Sequence, residues 1–328
     1  MRAVQEPLGN LSGETREHFA RIGPVWGSDI NAHRDFVVQA YTPLVAAASA
    51  ADPACEIERD LAYGSHERQR LDVFVQPETR AKGGADVVLF VHGGAFVRGR
   101  KSVNGFIYDN VPRWFARQGC VAINVEYRLA PEAPYPAGAE DVAAALAWAR
   151  EHVARFGGDA RRIFLVGHSA GGAHVAAALG DPLLVPLSAA PFASPLDASP
   201  APPAGAVLIS ARLVADVLPD NPNAPGVRAY FGADEAQYAQ RSPLAHAERI
   251  DVPLMVVVAE FENPYLDAYG AAFFARVAEA RQRAASAGER TQPLRFMQMA
   301  RHNHTSVVAH FDSGETLLGD AILAFFRA

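Results

Sequence analysis

The sequence predicts an α/β fold in which a mostly parallel central sheet is flanked by helices on both faces. Short, continuously apolar segments that end in glycine or polar residues recur along the chain, as expected for strands buried on both faces. Segments with helical periodicity separate them, and this alternation is typical of parallel strands joined by crossover helices. Half of the 328 residues are apolar, which is enough to build a large core.

The strand patterns begin at residue 70. Arg70–Val75 alternates between polar and apolar residues, which predicts a half-exposed edge strand. The later segments are apolar throughout and predict buried strands. They are Val87–Val91, Val121–Val125, Ile163–Val166, Ala206–Ile209, Leu254–Val258 and, as a last strand, Leu294–Met297.

Helical spacing of apolar residues at Arg16–Ile22 and Asp35–Ala50 precedes every strand pattern. We therefore expect residues 1–62 to form a helical N-terminal arm or cap, and residues 63–328 to form the main α/β domain. Later helical patterns alternate with the strands. The segment Asp181–Pro203, rich in Pro, Ala and Ser, is expected to cross one face of the sheet as a lid or pocket wall.

Composition excludes several classes of protein. With 30 Lys and Arg against 36 Asp and Glu, the chain carries a net charge of -6 and no basic cluster, which argues against a nucleic-acid partner. Two separated cysteines, Cys55 and Cys120, indicate neither a disulfide framework nor a thiolate metal site. The N-terminus lacks a signal-peptide pattern, and no apolar run reaches the ~18 residues of a membrane helix, so we expect a cytoplasmic protein. A homo-oligomer is left open.

The clearest chemical motif is Gly167-His168-Ser169-Ala170-Gly171-Gly172, directly after a predicted strand and at the start of an Ala-rich helix. A G-x-S-x-G sequence in this context predicts a nucleophile elbow, with Ser169 on a strained turn between small neighbours. The alternative is an ordinary glycine-rich turn. We expect His168 to contribute packing only.

A second motif, His92-Gly93-Gly94-Ala95-Phe96, follows an earlier buried strand. Acyl transfer requires backbone N–H donors near the oxygen that becomes negative, and a glycine pair lets the main chain approach a substrate closely. The amides of Gly93 or Gly94, Ala95 and Ala170 are therefore candidates for an oxyanion hole.

Together with Tyr127-Arg128-Leu129-Ala130-Pro131-Glu132, these motifs resemble the hormone-sensitive-lipase-like carboxylesterase branch of the α/β-hydrolase superfamily. Two residues depart from the family pattern: His168 replaces the usual Asp, and Ala95 replaces a third glycine, a feature closer to arylformamidase-type members. The resemblance implies an α/β-hydrolase catalytic domain that cleaves carboxylic esters without a cofactor. Arg128 and Asp141 are expected to form a structural ion pair.

The candidate general base follows the last predicted strand, at His302-Asn303-His304. The family resemblance favours His304, and His302 is the alternative. His-x-His is also a pattern of paired metal ligands, but no carboxylate or third histidine lies at ligand spacing in the sequence, so we expect no metal site. His152, His174 and His310 are expected to be ordinary residues of helical or loop surfaces.

The candidate acid lies in the turn after the strand Leu254–Val258. By comparison with the family, Glu262 occupies the place of the usual Asp, and Asn263 resembles an insertion. A glutamate is able to hold the imidazole tautomer and stabilise its charged form. Glu260 and Asp267 remain alternatives.

The sequence thus predicts a serine hydrolase that cleaves small-molecule carboxylic esters through Ser169, His304 and Glu262 and a backbone oxyanion hole. One alternative is an amidase or arylformamidase that uses the same groups on an N-acyl bond. Another is a ligand receptor on the same fold that has no catalytic activity. Acyl length and alcohol group are not specified by these motifs.

Overall fold

A computed structural model of the protein describes residues 4–184 and 202–328. The described residues contain an eight-stranded sheet with the order β1-β2-β4-β3-β5-β6-β7-β8. Strand β2 pairs antiparallel with both of its neighbours, and all other pairs are parallel. The strands are β1 (Glu56–Ala62), β2 (Arg70–Val75), β3 (Ala85–Val91), β4 (Val121–Val125), β5 (Gly158–His168), β6 (Gly205–Ile209), β7 (Leu254–Phe261) and β8 (Leu294–Asn303).

The parallel part of the sheet is buried on both faces. Alternate residues of one strand enter opposite cores, so that in β3 Val87, Leu89 and Val91 face one apolar cluster while Val88 and Phe90 face the other. This double burial explains the uninterrupted apolar segments of the sequence. Because these strands are parallel, the carboxyl ends of β3, β5, β6, β7 and β8 lie at one edge of the sheet, where ligand sites of such folds form.

The first two helices precede the strands in the chain and the later helices cover the faces of the sheet, as the periodicity predicts. They are α1 (Gly13–Ile22), α2 (Ile30–Ala50), α3 (Pro77–Lys82), α4 (Asn110–Arg117), α5 (Ala137–His152), α6 (Ala170–Gly180), α7 (Ala224–Phe231), α8 (Tyr238–Arg241), α9 (Leu266–Ser286), α10 (Ser306–Ala309) and α11 (Leu317–Phe326). Among the helices of residues 4–184 and 202–328, none combines the length and apolar character needed to cross a bilayer.

The edge of the sheet differs from the sequence prediction. Arg70–Val75 is the second strand and is buried, whereas the exposed edge is β1, within residues that we had assigned to the helical arm. The polar residue that produced the alternation, Asp72, is fully buried and paired with Arg59 and Lys101. A buried ion pair thus gave Arg70–Val75 the polarity pattern of an exposed strand. The predicted segment Asp181–Pro203 lies mostly outside the described residues.

The N-terminal helices pack against the end of the sheet that carries the motifs. Phe19, Trp26 and Tyr41 are almost completely buried in an apolar cluster with Ile107 and Ala309. A polar contact fixes the same surface, because the Trp26 indole N–H donates a 2.9 Å hydrogen bond to Oδ1 of Asn263. The apparent insertion Asn263 therefore anchors the arm.

We predict that Trp26→Ala destabilises the protein by roughly 3–5 kcal/mol, because it empties a buried aromatic site and leaves the Asn263 amide oxygen without its donor. The measurement is urea unfolding followed by circular dichroism. The neighbouring Val25→Ala, at a side chain 51% exposed, is the matched control and should change stability little. Equal stability of the two variants would contradict this packing of the arm.

Candidate active site

Ser169 lies at the sharp turn between β5 and α6, in the geometry that the motif predicts. Its backbone angles, φ 55° and ψ -119°, place a residue with a side chain in a strained region. The turn also requires a close approach to β3, since a Cβ atom on Gly171 would lie 2.3 Å from the carbonyl oxygen of Val91. These constraints hold the Ser169 hydroxyl above the carboxyl edge of the sheet.

The fold brings Ser169, His304 and Glu262 into one hydrogen-bonded chain. His304 Nε2 lies 3.0 Å from Ser169 Oγ, and His304 Nδ1 lies 2.7 Å from Glu262 Oε2. Glu262 follows β7 and His304 follows β8, so the parallel pairing of these two strands sets their separation. The arrangement has the geometry of a nucleophile, a base and an acid that orients the base.

The second carboxylate oxygen of Glu262 is also occupied. Oε1 accepts the backbone N–H of Ala259 at 2.8 Å and the hydroxyl of Ser210 at the end of β6. Two donors on one oxygen turn the other oxygen toward His304. Ser210 was missed in the sequence, although its position directly after a predicted buried strand placed it at the carboxyl edge.

The alternative acids lie elsewhere. The Glu260 carboxylate is exposed and accepts the backbone N–H of Arg301 at 2.5 Å. Asp267 is exposed in the first turn of α9. The structure thus brings Glu262 to His304, and neither of the other two carboxylates contacts that ring.

His302 faces away from Ser169 into a buried polar cluster. Its Nε2 lies 2.8 Å from Glu315 Oε1 and its Nδ1 lies 3.1 Å from Ser306 Oγ. Contrary to the sequence analysis, a carboxylate and a third histidine do converge here, since the ligand atoms of His302, His310 and Glu315 lie within 4.8 Å of one another. The other Glu315 oxygen accepts the Leu8 N–H at 3.0 Å, so the cluster joins the residues after β8 to the N-terminal segment.

Three further histidines differ from expectation. His174 and His310 are fully buried instead of lying at the surface, and burial lowers the pKa of His174 to about 3 and of His310 to about 4. His168 does more than pack. Its Nε2 lies 2.9 Å from the carbonyl oxygen of His304, and its Nδ1 lies 3.2 Å from the hydroxyl of Tyr108.

The glycine pair after β3 forms one wall of the site. Gly94 is required sterically, because a Cβ atom there would lie 1.8 Å from the carbonyl oxygen of Arg98. Within residues 4–184 and 202–328, the amides of Gly94 and Ala95 donate to no other protein group and remain available to a substrate oxygen. Gly93 lies against the Tyr108 hydroxyl. Burial raises the pKa of Tyr108 to about 12, and a hydrogen bond with the Gly93 backbone opposes this rise. Ala170 is the first residue of α6, where a helix leaves its amide without an internal partner.

A cavity of about 330 Å³ opens beside Ser169 and His304. Its walls come from the glycine loop, from the segment around Tyr108 and from helix α2 of the arm, which contributes Ile30 and Val38. Arg34 and Arg98 also line it, and neither was singled out in the sequence. The sequence contained one signal for Arg98, its position four residues after the second glycine of the loop.

The Tyr127–Glu132 segment has the expected structural role. Arg128 Nε lies 2.9 Å from Asp141 Oδ1, and the Arg128 backbone N–H donates to Asp141 Oδ2 at 2.7 Å. The Tyr127 hydroxyl donates to the carbonyl oxygen of His92 at 3.0 Å. This segment therefore supports the loop that follows β3.

Curated proteins with similar sequences are esterases by name. Esterase LipC of Mycobacterium tuberculosis is 40% identical over 122 residues, which cover 37% of this chain and 29% of that protein. Carboxylesterase NlhH of the same organism is 42% identical over 106 residues, which cover 30% of this chain and 32% of the relative. The chain thus spans less than a third of the length of these curated relatives.

Solved structures match the whole fold. A hyperthermophilic esterase from the archaeon Pyrobaculum calidifontis superposes with a TM-score of 0.65 over 97% of this chain and 96% of that chain, at 22% identity. A structure described as an arylesterase gives a TM-score of 0.61 over 97% of this chain and 98% of that chain, also at 22% identity. Residues 88–298 match a family model described as alpha/beta hydrolase fold, and this match covers more than half of the chain. The chain therefore belongs to the α/β-hydrolase family, in the hormone-sensitive-lipase-like branch that its motifs predicted.

Proposed function

We propose that the protein hydrolyses carboxylic esters through an acyl-enzyme, with Ser169 as nucleophile, His304 as general base and acid, and Glu262 as the orienting carboxylate. The observation that carries the proposal is the continuous chain of hydrogen bonds, 3.0 Å from Ser169 Oγ to His304 Nε2 and 2.7 Å from His304 Nδ1 to Glu262. Family membership and the names of the curated relatives support an ester as substrate.

In the acylation step, His304 Nε2 takes the proton of Ser169 as Oγ attacks the ester carbonyl. The ring must therefore carry its other proton on Nδ1, and the Glu262 carboxylate 2.7 Å away fixes that tautomer and stabilises the imidazolium that forms. Because Ala259 and Ser210 already occupy the other oxygen, Glu262 acts as a fixed acceptor. His304 then donates the proton to the leaving alkoxide.

The carbonyl oxygen becomes negative in the tetrahedral intermediate. The amides of Gly94, Ala95 and Ala170 are suited to bind this oxygen. Gly94 and Ala95 line the cavity, and their amides donate to no acceptor among the described residues. Ala170 lies at the N-terminus of α6. Gly93 contributes mainly through its close approach to Tyr108. Water then attacks the acyl-enzyme, with His304 again as base, and releases the acid.

We propose that helix α2 shapes substrate preference. Ile30 and Val38 line the cavity together with Ser169, so the arm supplies apolar wall beside the reacting ester. The same helix is fixed by the buried side chains of Val37 and Tyr41. The arm is thus part of both the core and the cavity wall. Point substitutions at the side chains that line the cavity therefore test its effect on substrate preference better than truncation does.

We predict that Ser169→Ala abolishes hydrolysis of 4-nitrophenyl acetate and labelling by a fluorophosphonate probe, because both need the serine oxygen. Melting temperature should change little, since the hydroxyl makes one side-chain hydrogen bond. The controls are Ser306→Ala, in the buried cluster, and prior incubation with EDTA, neither of which should prevent labelling. Substantial hydrolysis by Ser169→Ala would refute the serine mechanism, and an unlabelled parent protein would favour a receptor without activity.

His302, near the end of β8, and His304, directly after β8, should differ in the effects of their substitution. His304→Ala is expected to lower kcat by about four orders of magnitude or more, since triad members act as a unit. His302→Gln keeps a side-chain donor for Glu315 Oε1, which is buried and would otherwise lose its partner. This variant should mainly lower the melting temperature. Steady-state kinetics and thermal melts of both variants give the ranking. A larger loss of kcat in His302→Gln than in His304→Ala would assign the base to His302.

The acid is tested by replacements that keep shape and remove charge. Glu262→Gln is expected to lower kcat by about 10³ to 10⁴, because an amide favours the wrong tautomer of His304. Glu260→Gln and Asp267→Asn are the matched controls, since their carboxylates do not contact the ring, and should keep near-normal kcat. Normal turnover in Glu262→Gln together with a severe loss in either control would move the acid to that residue.

A further inference from the structure

The cavity beside Ser169 contains a positively charged group that the ester chemistry does not use. Arg98 lines the cavity and lies on the same loop as the glycine pair, and its backbone N–H donates to the carbonyl oxygen of Gly94 at 3.0 Å. Arg34, from helix α2, also lines the cavity. Two arginines therefore line the cavity in which, on the proposed function, the scissile ester lies.

Arg98 has no acidic partner within residues 4–184 and 202–328. Its side chain donates to the neutral amide oxygen of Asn223 at 2.9 Å, and no carboxylate of the described part of the chain lies within ion-pair distance. Other arginines near the sheet are paired differently: Arg68 with Glu126, Arg117 with Asp312 and Arg128 with Asp141. Arg98 is thus an exposed cation at the cavity, and the described residues supply no carboxylate as its counter-charge.

The neighbouring charges do not compensate for this. Arg34 Nη2 lies 2.8 Å from Asp35 Oδ1, so the one acidic side chain that the described residues contribute to the cavity lining already pairs with the second arginine. Burial lowers the pKa of Arg98, and repulsion from Arg34 lowers it further. A guanidinium without an acidic partner is available to an anionic ligand group, with which it forms charge-assisted hydrogen bonds that are stronger than those between neutral groups.

We propose that the active site prefers esters that carry a carboxylate, and that Arg98 binds this group while Ser169 attacks the ester. The planar guanidinium offers paired N–H donors that match the two oxygens of a carboxylate, and Asn223 holds it in the cavity. The inference rests on the proposed ester hydrolysis. The carboxylate belongs either to the acyl chain or to the alcohol of the ester, and a separate pair of test compounds examines each case.

The experiment measures competition against 4-nitrophenyl acetate, so a compound need not itself be turned over rapidly. For the acyl side, monomethyl glutarate is compared with methyl 5-oxohexanoate, in which a methyl ketone replaces the carboxylate at equal length. For the alcohol side, acetoxyacetate is compared with acetoxyacetone in the same way. The ratio of inhibition constants within a pair reports recognition of the negative charge.

In at least one pair the parent protein should bind the carboxylate compound about tenfold more tightly, the effect expected of one charge-assisted contact. Arg98→Gln should bring that ratio to about one, and Arg98→Lys should retain part of it because the charge remains without the planar fork. Arg21→Gln, on the arm but outside the cavity, is the matched control and should leave the ratio unchanged.

The outcomes separate this inference from the proposed function. If 4-nitrophenyl acetate is hydrolysed but neither pair shows a preference for the carboxylate, ester hydrolysis stands and the role of Arg98 is refuted. A preference that persists in Arg98→Gln also refutes it and assigns the charge to Arg34. If neither hydrolysis nor phosphonate labelling occurs, the proposed function itself fails.

Discussion

The Glu262 carboxylate is the contact on which the geometry of the site depends. One of its oxygens is held by Ala259 and Ser210, and the other faces His304 Nδ1 at 2.7 Å. These groups come from the ends of three adjacent strands, β6, β7 and β8, so the parallel register of the sheet sets their distances. The β7–β8 pairing shifts between Ala259 and Phe261, and the His304 N–H then donates to the Phe261 carbonyl at 3.0 Å. This local irregularity lies at the turn that carries Glu262.

The N-terminal arm is coupled to the same turn. Asn263, next to Glu262, accepts the hydrogen bond of the Trp26 indole, and Phe261 packs against the arm cluster. The arm also supplies Ile30, Arg34 and Val38 to the cavity wall. The cavity wall and the turn that carries Glu262 therefore share one interface. Because the arm contacts both the cavity and the turn after β7, the boundary between arm and main domain is less sharp in the structure than in the sequence.

The elements and residues that sequence patterns predicted are those with a local signature. Continuous apolar segments identified the buried strands, and the turns at Ser169 and Gly94 need glycines at fixed offsets. Ser210 and Arg98 had only a positional signal, Ser210 after a predicted buried strand and Arg98 after the glycine pair, and their contacts arise only when distant strands and loops meet. Asp72 misled the assignment of the edge strand because a buried ion pair and an exposed position give the same polarity pattern. His302 and Glu315 are 13 residues apart, beyond the spacing at which ligand pairs are sought, and the fold closes that distance to 2.8 Å.

A second chain of hydrogen bonds runs from Tyr108 through His168 to His304, and the direction of its hydrogen bonds is fixed, unlike that of the chain from Ser169 through His304 to Glu262. The His304 carbonyl is only an acceptor, so His168 must donate from Nε2, and its Nδ1 must then accept from the Tyr108 hydroxyl. Burial holds the pKa of His168 well below its usual range and raises that of Tyr108 to about 12, so each group keeps one protonation state near neutral pH. This chain therefore acts as a fixed brace between the segment that carries Tyr108, the turn at Ser169 and the loop of the base. The proton transfer that we propose is left to the His304 ring, and the brace holds the backbone of His304 in place.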